Sequence, residues 1–252
     1  MRRRGSHHDQ GVITRLVAAA IVVVAPSSYA QSNGPWRHGF ATYLMGAGLD
    51  GDVGIGPLSA DVDVSFDDLL DHLELGLMMA YMAERDDWKI SVDAIYLNLE
   101  ARKDAGGLTA EAKANQAIIS GDLAYRLNER LEVLAGLRYN DIEADLAVSG
   151  LPSGTSLAGE RESWVDPYIG GRYTVPLGRL WSFTLRADVG GFGVGDSTWH
   201  LVSRLNWHAS DNLAVIFGYR VLAVDYDDGE GAERFLYDVE ISGPLVGVGW
   251  RY

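Results

Sequence analysis

Residues 181–189 alternate strictly between apolar and polar. Trp181, Phe183, Leu185, Ala187 and Val189 fall on one side of an extended chain, with Ser182, Thr184, Arg186 and Asp188 on the other. The same rhythm returns at 213–221, where Leu213, Val215, Phe217, Tyr219 and Val221 oppose Ala214, Ile216, Gly218 and Arg220. At 131–140, Leu131, Val133, Ala135, Leu137 and Tyr139 oppose Glu132, Leu134, Gly136, Arg138 and Asn140. Over 117–127, Ala117, Ile119, Leu123, Tyr125 and Leu127 stand opposite Ser120, Asp122 and Arg126. Over 88–96, Trp88, Ile90, Val92, Ala94 and Tyr96 oppose Lys89, Ser91 and Asp93. Period two of this kind predicts strands.

Two kinds of connection alternate between the strands. Short polar turns occur at 84–87, 128–130, 176–179 and 210–212, and longer or more acidic stretches near 50–72, 102–114, 148–162, 193–198 and 227–233. Four short turns and five long connections join ten strands, at 37–49, 72–84, 88–101, 115–127, 131–147, 163–175, 181–193, 199–209, 213–227 and 234–252. Eight is the alternative count, because the first and last segments are the least regular. Tight turns at one end and long loops at the other are the asymmetry of bacterial membrane barrels. The expected fold is therefore an all-β, antiparallel transmembrane β-barrel.

Alternation alone does not say which face is wet, and a soluble antiparallel barrel would turn its charges outward. The polar face is rich in Gly, Ser and Arg and poor in bulk, which does not suit a dry core. Aromatic residues recur near strand ends, at Trp88, Tyr125, Tyr139, Trp181, Trp207, Trp250 and Tyr252, as interfacial girdles require. The apolar faces are accordingly expected to meet lipid.

Both chain ends agree. Arg2, Arg3, Arg4 and Arg15 precede an apolar run from Leu16 to Ala25 and then Ser27-Ser28-Tyr29-Ala30, the layout of a signal peptide cut after Ala30. That run is too short for a spanning helix, which needs about 20 apolar residues. The consecutive arginines, Arg2 to Arg4, stand far from it, so general secretion is expected over twin-arginine export. The expected domains are the signal peptide at 1–30 and the barrel at 31–252. Gly247-Val248-Gly249-Trp250-Arg251-Tyr252 alternates to a final aromatic, and it resembles the C-terminal insertion signal of Gram-negative outer-membrane barrels. The resemblance implies recognition by the barrel-assembly machinery through Trp250 and Tyr252, and residence in the cell outer membrane.

Removing 1–30 leaves 222 residues and takes the net charge from −14 to −17, since that segment holds four arginines and one aspartate. Such an acid excess argues against nucleic acid. The chain has no cysteine, hence no disulfide and no thiol chemistry. Mean hydropathy is near zero. An interleaved chain of that kind enters a membrane only as a barrel, where every backbone group is paired. The expected partners are outer-membrane lipid and lipopolysaccharide, and a monomer is expected.

Two irregularities carry expectations of their own. Phe235, Tyr237, Val239 and Ile241 are odd-numbered, whereas Val246, Val248, Trp250 and Tyr252 are even, so a β-bulge is predicted at Gly243-Pro244. Ser65 with Asp68 reads as a capping box, and predicts a short helix at 66–72 within the 57–72 loop or an ordinary surface turn.

Several segments resemble a family of small, largely uncharacterised proteobacterial outer-membrane barrel proteins. They are residues 61–70, Trp164 to Tyr173 (with Asp166, Pro167, Gly170 and Arg172), Asp188 to Gly195 and Gly218-Tyr219-Arg220, together with the Gly243-Pro244 strand. The resemblance implies an outer-membrane barrel and supplies no activity.

Glu74, Glu84, Lys89, Asp93, Asp122, Arg126, Glu132, Arg138, Asp166, Arg172, Arg186, Asp188, Arg204, Arg220, Asp238 and Glu240 are expected on the lumen face. Charges held away from water must pair, so one reading is an interior salt-bridge network that plugs a narrow barrel. The other is a pocket or slow path for a small polar solute, with Arg138, Asp166, Arg172, Arg186, Asp188, Arg204 and Arg220 as the binding candidates. A third places function in surface interaction through the acidic outer loops. No enzyme, metal or cofactor is expected. Omptin proteases use an acid pair facing an Asp and a His. Asp61 and Asp63 imitate the acids, but Asp196 and His200 lie four apart. His208-Ala209-Ser210 fits the His-x-Ser spacing of lipid A deacylases, yet falls at a turn on the wrong side. Asp225 to Glu230 misses calcium-loop spacing, and Gly190 to Gly195 lacks the Lys-Ser or Lys-Thr of a phosphate loop.

Overall fold

The structure, a computed structural model, describes residues 34–252 apart from 56–57, 65–72, 106–107, 152–153, 193–195 and 232–233. At 55, 58–64, 73–76, 99–105, 108–112, 144, 146–151, 154–158 and 196 it describes the backbone alone. The expected signal peptide and the short helix at 66–72 lie outside the described residues.

Twelve strand segments form one sheet: β1 (Arg37–Met45), β2 (Gly48–Ile55), β3 (Leu58–Val64), β4 (Leu73–Arg85), β5 (Trp88–Ala105), β6 (Leu108–Arg126), β7 (Leu131–Leu151), β8 (Gly154–Pro176), β9 (Trp181–Gly190), β10 (Asp196–His208), β11 (Leu213–Asp228) and β12 (Phe235–Arg251). From β4 to β12 each pairs antiparallel with the next. The lower half of β12 pairs with β1, from Gly39↔Arg251 to Met45↔Leu245, and its upper half pairs with β2, from Gly48↔Ser242 to Ile55↔Phe235. The β1–β4 ladder closes the ring. Because β1 and β2 share one position in the wall, and β3 and β4, which pair with β2 and β1, share the next, the twelve segments make ten wall strands. That settles ten over eight.

Strand faces follow the alternation. Val133, Leu137, Leu185, Val189, Phe217 and Tyr219 point outward and are exposed, whereas Arg138, Arg186, Asp188 and Arg220 are buried inside. On the outer surface, Trp88, Tyr125, Trp181, Trp207 and Trp250 gather toward the short-turn end, and Tyr96, Tyr139 and Trp199 stand at the other edge of the apolar band. In β7 the outward apolar run covers 131–139 and gives way to Asp141 and Asp145. Nine residues match the length of a tilted membrane-crossing strand.

Beyond that edge the structure departs from expectation. Much of the predicted outer loops is strand, with β5 and β6 paired up to Ala105↔Leu108 and β7 and β8 up to Leu151↔Gly154. Antiparallel neighbours satisfy their own backbone groups, so a hairpin continues into water without an apolar face.

The β-bulge predicted at Gly243-Pro244 is absent. The β11–β12 register runs unbroken from Leu213↔Trp250 to Asp228↔Phe235. Gly46, across the ladder, donates its N–H to the Pro244 carbonyl at 2.7 Å. Proline has no N–H to return, and the first strand breaks there at 46–47 into β1 and β2. Odd positions of β12 therefore face inward throughout, including Phe235, Tyr237, Val239 and Ile241. Asp238 and Glu240, expected in the lumen, lie on the outer face instead. The upper half of β12 stands clear of the apolar band, where outward means water.

Candidate functional site

The lumen has two levels. At the upper level Trp164, Leu222, Val224, Tyr226, Phe235, Tyr237, Val239 and Ile241 meet Met45, Met78, Ile95, Leu97, Ile118 and Ile142 in one buried cluster. Trp164 stacks on Tyr226 with ring centroids 4.2 Å apart, and Gln116 donates to the Tyr237 hydroxyl at 2.8 Å. An interior void lined by Met45, Met78, Ile95, Arg220, Leu222 and neighbours has a volume of about 10 Å³, room for one water at most. The interior was expected to lack bulk. Bulk is supplied by the segments whose apolar residues change phase.

Below this plug the charged residues form a network. Lys89 bridges Glu132 at 2.6 Å and Glu84 at 3.5 Å, and Arg172 reaches Glu132 at 2.8 Å. Arg172 and Arg186 stand directly opposite one another in the β8–β9 register. Like charges so placed repel. Asp122 relieves them, 2.8 Å from Arg186 and 3.7 Å from Arg172. Asp188 receives Arg138 at 2.7 Å, Arg186 at 3.0 Å and His200 Nδ1 at 3.0 Å. Arg220 reaches Asp93 at 2.9 Å and donates to the Tyr43 hydroxyl at 2.8 Å, which itself donates to Asp93 at 2.7 Å. Asp166 accepts from Asn140 and from the Trp164 indole, each at 3.1 Å.

Of the seven binding candidates, Arg138, Asp166, Arg172, Arg186, Asp188 and Arg220 are buried in this network and Arg204 is partly buried. Arg172, Arg186, Arg204 and Arg220 lie on four consecutive strands, β8 to β11. Three of them have an acid, Arg172 from the neighbouring strand (Glu132), and Arg186 and Arg220 from across the lumen (Asp122 and Asp93). Among the described residues Arg204 has no hydrogen-bond or ion-pair partner. It lies within electrostatic reach of Arg172, Arg186 and Arg220, with Asp93 facing it. Arg172 Nε, Arg186 Nη2, Arg204 Nε and Arg220 Nε are all sealed from solvent without a hydrogen-bond partner.

Sequence reasoning did not place Tyr43, Tyr168 or His200 in the lumen. Tyr168 lies between Arg138 and Arg186, whose guanidinium carbons stand 4.9 and 5.6 Å from its ring centroid. Its inward position was legible from the parity it shares with Asp166 and Arg172.

No protein-family model matches the chain, and no curated protein matches it. Among solved structures, the outer membrane protease OmpT of Escherichia coli is similar with a TM-score of 0.55 at 8% identity, over 88% of this chain and 98% of that one. The attachment invasion locus protein Ail of Yersinia pestis matches with a TM-score of 0.39 at 11% identity, over 86% and 98%. The fold is that of an outer-membrane β-barrel. With its lipid-facing belt, that makes the chain an integral barrel of the cell outer membrane. Identities this low speak to fold and leave the activity open.

The expected hydrolase look-alikes are placed as follows. His200 pairs with Asp188 deep in the lumen. His208 meets the Ser182 hydroxyl at 3.0 Å, and Ser210 Oγ accepts from the Asn212 and Leu213 backbones in the short turn. Asp61 and Asp63 lie where the backbone alone is described. In the acidic run at 225–230, Arg234 engages Asp227 through both carboxylate oxygens, at 2.8 and 2.6 Å.

Proposed function

We propose that this barrel binds a small polar solute in its lower lumen and does not conduct it. The observation that carries the reading is Arg204, a cation with no ion-pair partner among the described residues, held beneath an apolar plug. The plug argues against passage: a ten-stranded barrel filled by side chains has none of the free bore of the sixteen-stranded porins. The short-turn end is the open one, where Arg37 and Arg126 keep accessible surface. Solute therefore enters from the periplasmic side. Reconstitution into planar bilayers tests this reading. The expected outcome is no single-channel steps, and a stable conductance lost in Arg186→Ala or Arg220→Ala would replace binding by passage.

A second reading, surface interaction, is favoured by one feature. Asp225, Asp238 and Asp52 face one another in consecutive register on three neighbouring strands, and the ladder continues through the backbone to Asp61. An acidic plate just outside the membrane suits a basic partner. Loss of cell-surface binding by Asp52→Asn/Asp238→Asn, with the barrel intact, is the expected result under that reading.

A further inference from the structure

We infer that the solute held in the lower lumen is a small oxyanion of the phosphate or sulfate class, and that Arg204 is its principal ligand. This rests on the closed-lumen reading above and names the chemistry of that site.

Charge comes first. Among the described side chains of the lower lumen, Lys89, Arg126, Arg138, Arg172, Arg186, Arg204 and Arg220 face Glu84, Asp93, Asp122, Glu132, Asp166 and Asp188. The cations exceed the acids by one, in a protein whose net charge is −14. Each arginine of β8, β9 and β11 has its carboxylate, and the surplus charge is Arg204. An unpaired guanidinium away from bulk water is costly, and the cost is removed by a counter-charge.

Hydrogen bonding comes second and is independent of charge counting. Four N–H groups, one from each of four neighbouring strands, are sealed and unpartnered. Guanidinium has donors only, so no rotation of these side chains satisfies one from another. The sealed acceptor without a partner near them, Asp122 Oδ1, stands 3.7 Å from Arg172 Nη2 and is one oxygen against four donors, so the group that answers the rest is an acceptor with several oxygens. Tetrahedral oxyanions have that geometry, and arginine favours them.

Location sets source and size. Arg204 lies four residues above His208, the short-turn end of β10, and the apolar plug lies above it. Lipopolysaccharide phosphates of the outer leaflet are on the far side of that plug, so the anion is a free one from the periplasm. Gly218 is the β11 register partner of Arg204. That inward position carries no side chain of its own and is covered by Leu245, 3.1 Å from where a Cβ would stand, so the anion meets the guanidinium from the short-turn side.

The test uses the folded mature barrel in detergent micelles, titrated with inorganic phosphate against chloride at matched ionic strength. Calorimetry should show saturable binding of one phosphate per barrel, competed by sulfate, and the unfolding midpoint should rise with phosphate. Arg204→Met should weaken phosphate binding at least tenfold. It should also unfold later than wild type when phosphate is absent, because an unpaired cation has gone. Arg204→Lys should bind at intermediate strength, and Arg161→Met, in the exposed crown, should bind as wild type. Phosphate heats no larger than chloride heats would overturn the inference. So would unchanged binding by Arg204→Met, or a phosphate-free Arg204→Met barrel less stable than wild type, which would mark Arg204 as structural. Conductance in bilayers sinks the closed-lumen reading, whereas a silent barrel indifferent to phosphate sinks only this one.

Discussion

The ring of Tyr168 occupies the space that a side chain at Gly136 would need. A Cβ at Gly136 would stand 2.6 Å from Tyr168 Cζ and 2.2 Å from the Gly121 carbonyl oxygen. Tyr168 is 1% exposed and donates to Asp122 at 3.3 Å, so the ring has nowhere to retreat. Gly136→Ala should therefore push it off Asp122 and out from between its two guanidinium groups. Overpacking of this kind costs about 1–3 kcal/mol, read as a lower urea midpoint of the barrel in vesicles. An unchanged midpoint would mean that the ring does not depend on the glycine.

Arg138 and Asp188 form the most enclosed ion pair described, with side chains 1% and 0% exposed. Arg138→Met leaves Asp188 with Arg186 and His200 and should destabilise the barrel by about 3 kcal/mol, the lower end for a broken buried pair. The double change Arg138→Met/Asp188→Leu should recover part of the loss. Equal damage in single and double variants would count against the pair.

Orientation in the membrane is open to a two-site comparison. Leu185 faces outward midway along β9, and Asp145 faces outward on β7 beyond the apolar band. Arginine at position 185 should cost about 2–4 kcal/mol, and at 145 about 0–1 kcal/mol, the depth dependence of a lipid face. Folding free energies in vesicles would reveal it, and equal responses would remove the assigned band.

Acid should favour the outer crown at its carboxylate ladder. Partial burial, and then the neighbouring Asp238 and Asp227, raise Asp225 above the ordinary aspartate range. Glu162 is raised by burial and by Asp228. Each group binds its proton more tightly in the folded chain than in the unfolded one. Their contribution to stability therefore falls as pH climbs through the raised values, and returns on acidification toward about 3.9–4.3. Asp227 runs the other way, held below the ordinary range by its hydrogen bond from Arg234. Asp238→Asn should add about 0.2–1 kcal/mol at neutral pH and flatten that slope. A steeper slope would contradict the ladder.

Sequence alternation was a reliable guide wherever one face meets lipid and the other meets ions. Ser182, Thr184, Arg186 and Asp188 are inward as their spacing demands. It misled where both faces leave the bilayer. In upper β12 apolar residues point inward to the plug and acids point to water, so the same period means the reverse orientation, and Asp238 and Glu240 were misplaced for that reason. Extended hairpins such as β7–β8 were illegible because a solvated strand needs no apolar side. The arginines of the lower lumen were legible one by one. Their relationship was not, because partners such as Arg220 and Asp93 are 127 residues apart and meet only when the ring closes.

The proline that splits the first strand bears on how the molecule is assembled. Both fragments on either side of Gly46 dock along β12, the last of these strands to be made. β1 and β2 therefore keep one edge uncovered until β12 is in place. Sealing the cylinder becomes the chain's final conformational event, and a chaperone that shields β1 and β2 in the interval would be protecting the one edge that has no earlier neighbour to cover it.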